Sequence, residues 1–502
     1  MANAYKNDTW TISDELGLDS ASDNLAKMCM EVQPPFSIAI TGKWGSGKTS
    51  IMRRAFATLG GQPLEQALPL NQVKKESTPR EWKKLLYSDK ARATELKWTN
   101  SLQRQAKYSF YAWYSPWQHQ NESNPLIPLL LEIHAQFSKY EKFKASASKI
   151  NRRGGLAAIH LFEHLIDAAA TLYAGKNIKV VRGLSDNIKK GWNDAEPNVM
   201  GISDGQRFHL LFEDAIDTLL DSISKTSSTK ARLVIFIDDL DRCEESVVVT
   251  LLESIKLYLG SQRCVFVFGQ DYSAVLGAIG RYWPERSEDD NRDYLEKLFQ
   301  ATIAVPLPPT AQIFDLLEAQ LKHHKFKQPA ICAGDIEQLI EPNPRKIKNF
   351  INSLCANWQM FGGDNVFKTQ EQQQRFILMH YLRFNHREVW SILERQAWTL
   401  RLLHKILTRS STDPILPDNL NEADQVAVKE IFSRSFTHVL QDDLSKDETD
   451  KHRLMDLEKA VDLFHQRRDR KRSDEHFIQL FKALFAADED LPAEFLYLNN
   501  TP

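Results

Sequence analysis

The chain has 502 residues, too many for one hydrophobic core, so two to four domains or subdomains are expected. Hydrophobic residues make up 42% and charged residues 26%, ordinary values for a folded water-soluble protein, and 66 acids nearly cancel 64 bases, so net charge points to no particular partner. The five cysteines (Cys29, Cys243, Cys264, Cys332, Cys355) show no CxxC spacing, which excludes a disulfide framework and a cysteine zinc site and suits a reducing compartment. The first ten residues, MANAYKNDTW, carry no apolar signal core, and no run reaches the length of a charge-free membrane span. A cytoplasmic protein without stable membrane insertion is expected.

Residues 1–35 are polar, with a helical stretch near Ser20–Glu31 leading into Pro34-Pro35. A short apolar run (Phe36, Ile38, Ala39, Ile40) follows, then Gly42-Lys43-Trp44-Gly45-Ser46-Gly47-Lys48-Thr49-Ser50, then a helical run from Ile51 to Leu59. This is G-x-x-x-x-G-K-[ST] between a strand and a helix, the context a phosphate-binding loop requires. Glycines let successive backbone N–H groups turn towards a polyphosphate, and the helix that opens there directs the positive end of its dipole at the same charge. Lys48 is placed to reach the β- and γ-phosphates, and the Thr49 hydroxyl to ligate Mg²⁺.

Residues 62–107 are rich in Lys and Arg without strong periodicity and read as an inserted excursion. A solvated face and a contact with nucleic acid both fit such a run. Tyr108–Trp113 has strand character and ends at Ser115-Pro116; a helix is expected from about Pro125 to Tyr140. A second excursion spans about 141–205. Within it, Ile159, Phe162, Ile166, Ala169 and Tyr173 recur at helical spacing, while His160, Glu163, His164 and Asp167 gather opposite. That pattern predicts an amphipathic helix packed on protein, not a bilayer span. The helix also contains His160-Leu161-Phe162-Glu163-His164, an H-x-x-E-H pattern that matches a zinc-protease motif, but no third ligand follows it, and a polar helix face accounts for it.

A helix is expected over 206–225, and then Leu233-Val234-Ile235-Phe236-Ile237 ends in Asp238-Asp239-Leu240-Asp241-Arg242. An unbroken apolar, mostly β-branched or aromatic run suits a parallel strand buried on both faces. Its carboxyl end is where α/β sheets place ligands. Asp238 is therefore expected to hold Mg²⁺ through water, and Asp239 to orient or deprotonate the attacking water. After a helix over 245–259, a second buried strand, Cys264–Phe268, ends in Gly269-Gln270-Asp271; Gln270 and Asp271 are both placed to sense a γ-phosphate. A last short strand, Ala301–Val305, is closed by Pro306, Pro308 and Pro309.

Residues 310–360 read as helices. Asn343-Pro344 starts one of them cleanly, with Arg345 and Lys346 in its first turn. Beyond 365 the chain reads as helices to the end, with loops near 410–420 and 441–450 and a basic run at Arg467–Arg472, for which a solvated helix end is the simpler reading. The fold class expected is α/β: a parallel sheet with helical insertions. The expected divisions are a P-loop core over 1–309 with insertions at about 62–107 and 141–205, a helical segment over 310–360, and an all-α C-terminal region over 361–502.

Taken together, TGKWGSGKTS, YAWYSPWQ, IDDLDRC, YLEKLFQ and NPRKIKNFIN resemble the KAP family of P-loop NTPases, across about residues 36–355. The tryptophan inside the loop together with DDLDRC carries the resemblance. It implies a RecA/AAA-like parallel sheet, a P-loop NTPase core that binds and hydrolyses ATP with Mg²⁺, and a helical lid over 310–360 whose sensor arginine is Arg345 here. Many members carry a transmembrane hairpin between the two nucleotide motifs; the amphipathic 155–175 segment departs from that and is similar to the soluble subgroup. Bacterial members are linked to phage exclusion and multi-gene antiviral defence, the Qat operon type among them. The resemblance thus implies a switch or motor subunit of a defence complex, with operon-encoded partner proteins and a homo-oligomer. The alternative is an ATP-gated scaffold that assembles partners with little turnover. Arg242, Arg281 and Arg286 are candidates for an arginine finger acting in trans.

Overall fold

The computed structural model describes residues 16–59, 105–145, 158–169, 204–223, 231–258, 261–408 and 472–492, with short gaps inside several of these stretches. The excursions expected at about 62–107 and 141–205, Tyr173, the loops near 410–420 and 441–450 and the basic run from Arg467 lie wholly or largely outside them. The chain divides into two compact units, Thr9–Leu307 and Pro308–Pro502 together with Met1–Asp8.

The first unit is built on a five-stranded sheet in the order β2-β3-β4-β1-β5, where β1 is Phe36–Thr41, β2 Phe110–Tyr114, β3 Leu233–Ile237, β4 Cys264–Gln270 and β5 Ala301–Ala304. Every neighbouring pair is parallel. β3 and β4 are buried along their whole length and β1 over Ile38–Ile40, which is why they read as apolar runs and not as alternating ones. Side chains leave each strand on alternate faces. Val234, Phe236, Val265, Val267, Ile38 and Ile40 enter one core with α1 (Asp19–Glu31) and α2 (Lys48–Leu59). Leu233, Ile235, Ile237, Phe266 and Phe268 enter the other. That second core is covered by α3 (Leu126–Ala145), the helical stretch 158–169, α4 (Asp204–Ile223) and α5 (Glu245–Tyr258), and also by α6 (Tyr272–Tyr282) and α7 (Glu288–Leu298). The result is a three-layer α/β/α unit.

The amphipathic reading of 155–175 holds where the chain is described: Phe162, Ile166 and Ala169 are buried in the second core, and His160 is exposed. No helix among the described residues is long and apolar enough to cross a membrane. Arg232 fastens the start of β3 to the end of α1, its guanidinium donating to the carbonyls of Cys29 at 3.0 Å and Val32 at 2.7 Å. Arg54 of α2 pairs with Asp19 of α1. These contacts fix the helix that follows the phosphate loop against its neighbour.

The second unit is helical where described: α8 (Thr310–His323), α9 (Pro329–Leu339), α10 (Pro344–Met360), α11 (Gln370–Asn385), α12 (Thr399–Thr408) and α13 (Arg472–Leu484). Its core gathers on Trp358, whose ring stacks on Phe326 at 4.0 Å and whose indole N–H donates to the His324 carbonyl at 3.0 Å. The Asn343 side chain accepts from the backbone N–H of Arg345 and Lys346, the N-cap that starts α10.

Candidate nucleotide site

The loop after β1 and the acidic turn after β3 come out at the same carboxyl edge of one sheet, although β4 stands between the two strands. Register shows how. Thr41 is level with Gln270, and Ile237 with Phe268, so β1 and β4 end level and β3 ends two residues short of them, which brings Asp238 and Asp239 to the edge. The Gly42 N–H donates to the Gln270 carbonyl at 3.3 Å, and the Asp238 N–H to the Tyr114 carbonyl at 3.0 Å.

The loop has the shape a polyphosphate requires. Gly45 and Gly47 adopt φ of 81° and 104°, a region that side-chain-bearing residues rarely enter. At Gly47 a Cβ would also stand 2.8 Å from Leu18 Cδ1. The Ser46 hydroxyl is buried in the loop without a hydrogen-bond partner among the described residues. Such a buried donor has room for a partner from outside the chain, and a phosphate oxygen fits a hydroxyl held among backbone N–H groups. Trp44 is 66% exposed, so its ring stands out from the loop. Ser50 follows Thr49 on the first turn of α2.

Lys48 is largely buried; its ammonium donates to the Gly42 carbonyl at 2.8 Å and lies 3.3 Å from Asp241 Oδ2. The same Asp241 oxygen accepts the Asp271 N–H at 3.1 Å. Asp241 thus ties three segments of the carboxyl edge together, a role nothing in the local motif announced.

Asp238 is almost fully buried, and the Thr49 hydroxyl donates to its carboxylate. Burial raises its pKa, the Asp239 charge adds to the rise, and Thr49 and Arg53 oppose it. These oxygens stand side by side, as ligands to one hard cation must. Glycine at 269 makes the room: a Cβ there would lie 2.8 Å from Asp238 Oδ1 and 2.5 Å from Met52 Sδ. Asp239 takes a left-handed conformation, φ 60° and ψ 31°, and its carboxylate pairs with Arg242 at 2.9 Å. Burial raises its pKa too, while Arg242 lowers it.

Sequence reasoning also missed Arg53. Its guanidinium lies 3.9 Å from the Trp113 ring centre and within electrostatic reach of Asp238 and Asp239. Burial drives its pKa down to about 10 against the pull of those two acids. Trp113 itself is stacked on Phe236 and meets Phe56 edge-on. The aromatic character of β2 was visible in the sequence; that it forms a platform for a buried cation beside the acidic pair was not.

The two γ-phosphate sensors weighed from the sequence separate here. The Asp271 carboxylate is engaged as the N-cap of α6, accepting the Ser273 N–H at 3.1 Å. Gln270 is fully buried, and neither polar atom of its amide has a partner among the described residues. Of the finger candidates, Arg242 is paired with Asp239, Arg281 with Glu245 at 2.6 Å, and Arg286 lies against the Trp283 ring at 3.7 Å. Arg345 belongs to the other unit, on the first turn of α10.

In the HLFEH helix, Glu163 bonds His160 at 3.0 Å and faces His134 at 3.8 Å. No group of three His, Cys, Asp or Glu among the described residues is arranged to hold a metal. The nucleotide site does not depend on such a cage, because Mg²⁺ is ordinarily held by one or two protein oxygens together with phosphate and water. A hydroxyl and a carboxylate placed together, as Thr49 and Asp238 are, fit such a donor set.

A parallel sheet with a glycine-rich loop at its carboxyl edge, facing a buried aspartate, defines a P-loop nucleoside-triphosphate-binding fold. The KAP family P-loop domain matches residues 18–359, and the chain belongs to that family. Among solved structures it is similar to the Aeropyrum pernix ORC2 protein (ADPNP–ADP complexes), with 11% identity, TM-score 0.34, and 96% of this chain and 98% of that chain covered. It is also similar to a Walker-type ATPase of Pyrococcus abyssi, with 12% identity, TM-score 0.33, and 84% and 92% covered. No curated protein matches the sequence.

Proposed function

We propose that the protein is a Mg²⁺-dependent ATPase whose P-loop unit signals nucleotide state to the helical unit, as a switch or motor subunit of a bacterial anti-phage defence complex. One observation carries the catalytic part: Lys48, Thr49 and Asp238 converge on one carboxyl edge, with the Thr49 hydroxyl on the Asp238 carboxylate. The defence role, the cytoplasmic setting, the homo-oligomer and the operon-encoded partners rest on the family resemblance.

In this reading the backbone N–H groups of Gly45, Ser46 and Gly47 and the N-terminus of α2 bind the polyphosphate. The Lys48 ammonium leaves Asp241 and moves onto the β- and γ-phosphates. Thr49 and Asp238 would hold Mg²⁺, which would supply charge neutralisation for the polyphosphate. Asp239 orients the attacking water and takes its proton, once Arg242 has released its carboxylate. The buried Gln270 amide reports the γ-phosphate, and Arg345 is the sensor arginine of the helical unit. Loss of the γ-phosphate then changes the order of the segments it held.

The alternative is a nucleotide-gated scaffold that binds ATP, assembles partners and barely turns over. It draws on the two ion pairs Lys48–Asp241 and Arg242–Asp239, which occupy the groups that turnover needs. Steady-state phosphate release decides between them, measured with Mg²⁺ and with EDTA, alone and with nucleic acid and operon neighbours. Turnover that EDTA abolishes supports the ATPase reading. Tight ATP binding with no turnover under any of these conditions overturns it in favour of the scaffold.

A further inference from the structure

The helical unit holds a cavity of about 490 Å³ that the nucleotide reading leaves unused. Ser353 and Asn357 reach it from successive turns of α10, and His380, Arg383 and Phe384 from α11. Arg387, Trp390 and Glu394 complete the wall just past α11.

The His380 ring is 5% exposed and packs against Phe350 at 5.1 Å. Its Nδ1 lies 3.4 Å from Asn357 Nδ2, whereas Nε2 has no hydrogen-bond partner among the described residues. A buried polar atom left unpaired is costly, so a retained one marks a place where an outside group can bond. Burial and the neighbouring Arg383 charge hold this imidazole neutral, its pKa pushed down to about 3. A perturbed group in a cleft marks a site.

The charge of the cavity is unbalanced. Among the described residues neither Arg383 nor Arg387 is paired with a carboxylate. The one acid in the wall, Glu394, accepts the Trp390 indole N–H at 3.3 Å. Two guanidinium groups four positions apart therefore face solvent-accessible space beside the buried His380 ring, which the Phe350 backbone and Asn357 engage on one side only. Guanidinium matches phosphate through paired N–H donors. The volume lies in the range of small-molecule sites, about 300–1,000 Å³. Trp390, only 4% exposed, and the half-buried Phe384 offer apolar walls to a ring.

We propose that this cavity binds a small organic phosphate, with Arg383 and Arg387 on the phosphate and His380 Nε2, Asn357 and Ser353 on the hydrogen-bonding groups of its scaffold. Nucleic-acid backbone shares the phosphate chemistry, but a concave site closed by a buried indole suits a discrete molecule and not a continuous strand.

The test uses the full chain carrying Lys48→Ala, so that the P-loop is weakened as a competing phosphate site, in EDTA at constant ionic strength. Calorimetric titration with AMP and with inorganic phosphate should each give one site per chain, AMP the tighter. The further double change Arg383→Gln/Arg387→Gln should weaken AMP at least tenfold, and Arg383→Lys/Arg387→Lys should recover part of that loss. His380→Gln should weaken AMP and leave inorganic phosphate unchanged, an effect that general loss of structure does not produce. The proposal is overturned by no heat from either probe, by unchanged AMP affinity in the Gln/Gln chain, or by arginine-dependent binding of a short single-stranded oligonucleotide without binding of AMP.

Discussion

Lys48 and Asp241 form a buried ion pair, Nζ to Oδ2 at 3.3 Å, and the same oxygen accepts the Asp271 backbone N–H. Any phosphate that draws the ammonium must take it from this carboxylate. Asp241→Asn removes the competing charge and keeps an acceptor for Asp271. The affinity for ATP should therefore rise by about 3–10-fold, a change on the order of 1 kcal/mol. Calorimetry reads this directly, and unchanged or weaker binding contradicts the competition.

Lys48→Ala removes the cation meant for the β- and γ-phosphates. Charge-assisted hydrogen bonds are worth about 1.5–3 kcal/mol each, so ATP affinity should fall by roughly 10–100-fold or more. An ATP dissociation constant equal to that of the parent chain refutes the nucleotide assignment.

Asp239→Asn keeps the shape of the acidic turn and abolishes its proton acceptor. Binding should persist while phosphate release drops by about 10²–10⁴-fold. Retained turnover in the release assay transfers the role of base away from Asp239.

Gly269→Ala places a methyl group 2.8 Å from Asp238 Oδ1 and 2.5 Å from Met52 Sδ. One of them must move. Overpacking of this kind costs about 1–3 kcal/mol, so the thermal midpoint should fall, and the Mg²⁺ concentration for half-maximal turnover should rise. A chain with both quantities unchanged shows that the carboxylate is not confined as described.

His380 gives the helical unit a pH dependence whose sign follows from its burial. Its folded pKa, about 3, lies below the ordinary imidazole value of 6.5, burial being the larger cause and Arg383 the lesser. Between those two values the unfolded chain takes up a proton that the folded chain refuses, so stability falls as pH drops from about 6.5 towards 3. The slope is at most about 1.4 kcal/mol per pH unit. Urea unfolding at pH 7.5 and pH 5 should show the loss, and His380→Gln should remove this part of it. Equal slopes for the two chains refute the assignment.

Much of the molecule was legible in one dimension. β1, β3 and β4 are apolar runs because both faces of the sheet are covered, and the helices between them show one apolar stripe each. The phosphate loop was legible because its requirements are local: glycines at left-handed positions, a lysine at the first position of a helix, a hydroxyl beside it. The asymmetry between Gln270 and Asp271 was not, since both are polar residues at the same strand end and only the capping contact separates them.

What the sequence by itself determined is therefore the set of local shapes: the turn that wraps an anion, the strands buried on both faces, the helix starts with their caps. What only the tertiary structure decided is which distant groups share space. Asp241 meets Lys48, Arg53 lies between Trp113 and the acidic pair, and Gly269 leaves the gap that Asp238 fills. The physical reason is range. Backbone preference and periodicity act over a few neighbours along the chain, whereas a charge is stabilised by whatever the folded sheet brings to within a few ångströms of it.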